Sequence, residues 1–208
     1  EINHGFFSEK VLEAIEERKT IILPVFSLGR SQEILLRLKE LQDTNKLDVN
    51  IPIYFDGKLA QAYTALYCNS KILIDESKKD FFPRNLVAVN CEIREKLLQT
   101  DDCKIIVTTS GMGTYGPAQV YIPYFISKEN ALILFTGYTA EGSFGANLRN
   151  AEEGEIVKVG GLICKKFADV SYCNEFSAHA KSEELIELLK KFNNLRGCLL
   201  YTSDAADE

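Results

Sequence analysis

The sequence predicts an α/β fold, a mostly parallel sheet with helices on both faces. Three observations lead there. The apolar runs at 20–26, 51–55, 103–109 and 131–136 are continuous rather than alternating, as strands buried on both faces require. Stretches with apolar residues at helical spacing separate them, for example Ile34, Leu35, Leu38 and Leu41. The succession of strand, glycine turn and helix recurs, with turns at Gly29, at Gly111-Met112-Gly113-Thr114-Tyr115-Gly116 and at Gly137 to Gly145. Alternation of this kind builds parallel sheets, with the turns at the carboxyl ends of the strands.

Taken in order, Ser8 and Glu9 followed by Val11, Leu12 and Ile15 predict a capped amphipathic helix ending in Glu16-Glu17-Arg18-Lys19. Thr20 to Phe26 is a buried strand, with Pro24 marking its end or an irregularity. Ser27-Leu28-Gly29-Arg30 then turns the chain into a helix. Arg30, in the first turn, is a candidate phosphate ligand beside free helix amides, or else a partner for Glu33. Ile51 to Phe55 forms a second strand closed by the turn pair Asp56-Gly57, and Lys58 to Tyr67 a helix. The stretch from Asn69 to Asn90 keeps no period and reads as loop with short elements.

Ile93 to Leu98 is expected to be helical, and Cys103 to Thr109 to be a strand. The latter runs into Ser110-Gly111-Met112-Gly113, with Pro117 placed as the first residue of the next helix. Ala131 to Thr136 repeats the pattern and enters the loop Gly137 to Gly145, which contains Ser143. From Glu155 the texture changes to shorter alternating β segments, so a domain boundary is expected near 151–154. These segments lead to Phe176-Ser177-Ala178-His179. A helix follows, started by Ser182-Glu183-Glu184, striped by Leu185, Leu188, Leu189 and Phe192, and complemented at its far end by Lys190 and Lys191.

Composition narrows the function classes. A chain of 208 residues with a 46% hydrophobic share can bury a sizeable core. The net charge of −6 announces neither a nucleic-acid binder nor a membrane binder, although a local basic groove suffices for a polyanion. No apolar run approaches the ~20 residues a bilayer span needs, and a soluble, cytoplasmic protein is expected. The six cysteines show no Cys-x-x-Cys pair, which argues against a zinc knuckle or a disulfide framework. Gly111-x-Gly113-x-x-Gly116 matches a dinucleotide fingerprint by letter, but no acidic residue follows in the expected place. Of the two histidines, His4 has no partner motif, whereas His179 lies between a strand end and a helix start, where open α/β sheets hold ligands. Ser110, Gly111, Gly137 and Ser143 are candidate anion contacts through amides and hydroxyls, with tight glycine packing as the other explanation for the glycines.

Four stretches fall in one order: Ile22 to Glu33, Thr109 to Pro117, Phe135 to Gly145 and Phe176 to Ala180. Together they resemble the β-CASP branch of the metallo-β-lactamase nucleases, of the RNA-processing type typified by cleavage-factor endonucleases and RNase J-like enzymes. The resemblance implies that residues 1–152 are a β-CASP domain and that 153–197 return into a partial metallo-β-lactamase domain. It implies an intact parent with two zinc ions hydrolysing RNA phosphodiester bonds. Assembly as a homodimer or within a processing complex is implied as well. By the same resemblance His179 is the catalytic histidine near the scissile phosphate rather than a zinc ligand, and Ser177 orients it, touches a phosphate or only caps the turn.

The family's His-x-His-x-Asp-His signature would precede residue 1, so this chain is expected to be a fragment, to hold no metal fully and to be inactive alone. Residues 198–208 look like a translated sequencing adapter and are expected to be non-native. Lys181 and Ala146 depart from the usual pattern. A non-catalytic β-CASP scaffold subunit and a DNA-repair nuclease of the same superfamily are the alternatives.

Overall fold

The computed structural model describes residues 5–69, 81–139, 143–159, 161–176, 180 and 182–192. In chain order the elements are α1 (Gly5–Glu16), β1 (Thr20–Pro24), α2 (Arg30–Asp43), β2 (Ile53–Asp56), α3 (Lys58–Asn69) and β3 (Leu86–Ala88). They continue with α4 (Cys91–Leu98), β4 (Lys104–Thr108), α5 (Ala118–Phe125), β5 (Ala131–Phe135) and α6 (Phe144–Asn150). Last come β6 (Ile156–Val159), β7 (Leu162–Lys165), β8 (Asp169–Tyr172) and α7 (Ser182–Lys190).

Six strands form one sheet in the order β3-β2-β4-β1-β5-β8, and each neighbouring pair is parallel. The register explains the continuous apolar runs. Ile21 pairs with Ile105 and Leu132, and these three join one core cluster; Ile22 pairs with Ile106 and Ile133, which join the other. Each face therefore takes every second residue, and both faces are buried. Helices α1 and α2 cover the first face through Phe7, Val11, Ile34, Leu35 and Leu38, and α3 adds Ala60. Helices α4, α5 and α6 cover the second through Leu97, Tyr121, Ile122, Phe125 and Leu148. Each fully buried aliphatic or aromatic side chain stabilises the fold by roughly 1.5–3 kcal/mol relative to exposure.

Several boundaries differ from expectation for identifiable reasons. Helix α1 starts at Gly5, ahead of Ser8, because the Glu175 carboxylate accepts from the backbone N–H groups of Phe6 (2.9 Å) and Phe7 (3.1 Å). Helix α4 starts at Cys91 because Asn90 caps it, its Oδ1 accepting from Ile93 N at 2.9 Å. Pro117 is the residue before α5 rather than its first. The unreadable stretch before Asn90 contains β3, a short edge strand with no buried residue.

The chain divides into two compact units, Glu1–Phe176 and Ser177–Glu208. The change of texture after residue 152 is not a break in packing. Strands β6 and β7 make an antiparallel hairpin whose Val157 and Val159 enter the second core cluster, and β8 pairs with β5. Within the second unit α7 follows the expected pattern, with Glu183 and Glu184 in its first turn and Lys190 in its last. Residues 198–208 lie outside the described residues. Among those described, no helix is long and apolar enough to cross a membrane.

Candidate functional site at the sheet rim

All strands of a parallel sheet end on one rim, and here that rim carries the glycine loops. The chain leaves β1 toward α2, on the face of Ile21 and Leu23, and leaves β4 toward α5, on the face of Ile22 and Ile106. Adjacent strands whose following helices take opposite faces open a crevice between their loops, where ligands bind in open α/β sheets.

Phe26, just past β1, sits between the loops that follow β4 and β5. A β-carbon at Gly111 would stand 3.0 Å from the Phe26 ring, and one at Gly137 3.4 Å. Glycine at these two positions is thus explained by the approach of one ring. Nothing in the sequence signals this, because Phe26 reads as the last residue of a strand. Ser110 closes the β4 loop on itself: its N–H donates to Tyr115 O at 3.1 Å, and its Oγ accepts from Tyr115 N at 3.1 Å. Gly116 has φ +63°, and a β-carbon there would meet the Thr109 carbonyl oxygen at 3.0 Å, so this turn needs glycine on both counts.

Arg30 is folded back into the protein. Its Nη1 donates to Thr136 O at 2.6 Å, its guanidinium lies 5.3 Å from the centroid of the Phe176 ring, and its Nε is 3.6 Å from Glu33 Oε2. Burial lowers its pKa from the usual arginine value. Of the two readings for Arg30, the Glu33 pair is present, and the side chain ties the starts of two rim loops to Phe176. That ring in turn packs edge-on against Phe7 at 5.1 Å. Ser143 caps α6, its Oγ accepting from Ala146 N at 3.3 Å. The structure therefore brings Arg30, Ser110, Gly111 and Gly137 to adjacent loops of one rim and employs Ser143 in a helix cap. Ser177 and His179 lie outside the described residues.

Two polar arrangements beside the rim were not foreseen. Asp56, at the end of β2, accepts from Arg94 Nε (2.7 Å), Arg94 Nη2 (2.8 Å) and Tyr121 Oη (2.7 Å). Hydrogen bonding to Asp56 raises the pKa of Arg94, and burial followed by the Asp56 hydrogen bond raises that of Tyr121. In the sequence Asp56-Gly57 read only as a turn. At the other end of the sheet, Tyr172 stacks on Phe135 at 5.1 Å, donates to Gly145 O and lies under Arg149, 4.4 Å from its ring centroid. Arg149 Nη2 donates to Thr139 Oγ1 at 3.1 Å, which fastens the loop after β5 to α6. Burial pushes the Tyr172 hydroxyl up to about 12.

The metal ions that the resemblance implies find no donor set here. Among the described residues no three His, Cys, Asp or Glu side chains are grouped to hold an ion. Asp56, the buried carboxylate nearest the loops, is saturated by Arg94 and Tyr121. The described residues thus do not fit a zinc centre.

A parallel six-stranded sheet with three loops gathered at its switch point defines an open-sheet α/β domain of the kind that takes ligands at its carboxyl rim. Residues 31–148, more than half of the chain, match the Beta-Casp domain, and the chain belongs to the β-CASP family. It is 36% identical over 187 residues to the RNase J-like protein of Methanocaldococcus jannaschii, a match covering 88% of this chain and 42% of that protein. It is 30% identical over 198 residues to the transcription termination factor FttA of Methanococcus maripaludis, covering 89% of this chain and 31% of the relative. The chain spans less than half the length of these curated relatives.

Proposed function

We propose that this chain is the β-CASP part of a zinc-dependent ribonuclease that hydrolyses RNA phosphodiester bonds in RNA processing or decay. The observation that carries the reading is the coincidence of a β-CASP fold with the sequence Phe176-Ser177-Ala178-His179 a few residues beyond β8, in a chain similar to an RNase J-like protein. Zinc ions, if held elsewhere in the complete protein, would supply an activated water and neutralise charge on the phosphate; none of the described residues would hold them. This chain supplies positioning. His179 donates a hydrogen bond or proton to a phosphate oxygen as charge grows in the transition state, and Ser177 orients the imidazole. Ser110, Gly111 and Gly137 border the path of the RNA backbone. Arg30, whose contacts are internal, keeps two rim loops in place rather than binding phosphate. Ser143 contributes by capping α6.

In the same reading residues 153–197 return into a partial metallo-β-lactamase domain, and 198–208 are a non-native tail. A cytoplasmic location and a homodimer or processing complex belong to this proposal too. The similarity to FttA favours a second reading, in which RNA is engaged during transcription termination. The test is cleavage of end-labelled single-stranded RNA by the full-length parent protein, compared with an equal-length DNA. Zinc-dependent cleavage of the RNA is expected. Preference for the DNA would move the assignment to the DNA-repair branch, and no cleavage of either would favour a scaffold.

A further inference from the structure

Three aromatic side chains stand exposed on the loops of the carboxyl rim: Phe26 (41%), Tyr138 (53%) and Tyr115 (73%). They follow β1, β5 and β4, three adjacent strands of the sheet, and neighbouring strands run about 4.8 Å apart. Phe26 is held from both sides by the close approach of Gly111 and Gly137. Tyr138 directly follows Gly137, and the backbone of Tyr115 is fastened to Ser110, the residue before Gly111. Two other exposed aromatics of the same unit are already engaged: Lys128 lies 4.4 Å over the Tyr124 ring, and Lys10 lies 5.9 Å over the Phe6 ring, while Phe192 belongs to the second unit. Among the described residues no ring or cation stacks on Phe26, Tyr115 or Tyr138.

We propose that Phe26, Tyr115 and Tyr138 form a platform on which bases of single-stranded RNA stack as the strand crosses the rim. This rests on the reading that the rim faces RNA and adds how the strand is gripped. An acidic chain, at net charge −6, gains little from unspecific attraction to phosphates, so stacking carries a larger share of the affinity. Every base has a π-face, and a platform of this kind therefore grips RNA with little regard to sequence. A surface built for phosphates alone would place lysines and arginines here. On these loops Arg30 is instead turned inward to Thr136 and Phe176.

The test uses the 208-residue chain, a fluorescein-labelled uridine dodecamer and an abasic dodecamer of the same charge, followed by anisotropy at fixed salt. Tyr115→Leu and Tyr138→Leu are each expected to raise Kd for the uridine oligomer about fivefold or more. Tyr115→Phe and Tyr138→Phe should bind like the unaltered chain, and the abasic oligomer should bind weakly and ignore all four substitutions. Both tyrosines are solvent-facing, and circular dichroism should show the fold unchanged in every variant. Uridine binding that is unchanged in the leucine variants, or matched by the abasic oligomer, overturns the platform and leaves the ribonuclease reading standing. Failure of the unaltered chain to bind RNA at all overturns both. Loss of binding in the phenylalanine variants as well would assign the tyrosines to hydroxyl contacts and also overturn stacking.

Discussion

The Asp56 carboxylate and the Arg94 guanidinium meet through two hydrogen bonds, of 2.7 and 2.8 Å, with Asp56 almost fully buried. Asp56 ends β2 and its carbonyl accepts from Thr109 N at 3.1 Å, so the pair fixes the foot of the Ser110 loop. Removing Arg94 leaves a buried carboxylate with Tyr121 alone. Arg94→Met should cost on the order of 3 kcal/mol in urea unfolding. Arg94→Met combined with Asp56→Ala should cost less than the sum of the single changes, the excess measuring the pair. Additive costs would show that the two groups do not support each other.

Gly116 and Gly111 test two different demands on the same loop. Gly116→Ala combines a left-handed φ, costing about 1–2 kcal/mol, with a contact to the Thr109 carbonyl, which cannot move aside. At about 2–4 °C per kcal/mol for a chain of this size, its Tm should fall by several degrees. Gly111→Ala presses on the Phe26 ring, which can shift. Its Tm should fall less, while RNA binding at the rim weakens. Equal losses of Tm would mean that the Phe26 ring is as immobile as backbone.

Alkaline stability follows from the tyrosines. Tyr121 and Tyr172 are acids whose neutral forms are favoured by burial, with Tyr172 at about 12 and Tyr121 raised in the same direction. The unfolded chain releases these protons near pH 10, the folded chain only later. Their contribution is therefore complete below about pH 10 and is lost as pH rises through the folded values. Unfolding free energy measured between about pH 10 and 12 should fall with pH, and more shallowly in Tyr172→Phe. An unchanged slope in that variant would contradict the assignment.

The cysteines should separate by reactivity. Cys173 is fully buried, and burial pushes its thiol up to about 11, whereas Cys91 is exposed. Alkylation near neutral pH, read by peptide mass spectrometry, should modify Cys91 and spare Cys173 until the chain unfolds.

The main lines of the fold were legible because the parallel sheet writes itself as continuous apolar runs, as in Ile21-Ile22-Leu23 and Ile105-Ile106-Val107, and because α2 carries a plain helical stripe. What escaped was held by residues distant in sequence. The start of α1 depends on Glu175, and the Asp56 network joins Arg94 and Tyr121 across three elements. Strand β3 escaped because an edge strand of three residues has no period to show. At the site, the glycine loops announced themselves by composition, but nothing in the sequence signalled that Ser143 caps a helix or that Ser110 closes its own loop. No local pattern distinguishes those uses, since both put a small hydroxyl beside free backbone amides.

The most direct measurement is single-turnover cleavage of end-labelled RNA by the full-length parent protein, with and without His179→Ala, alongside zinc content and RNA affinity. Loss of a general acid or hydrogen-bond donor should slow cleavage by about a hundredfold or more while zinc content and Kd stay near those of the unaltered protein. Cleavage at the original rate, or loss of zinc along with activity, would contradict the role assigned to His179.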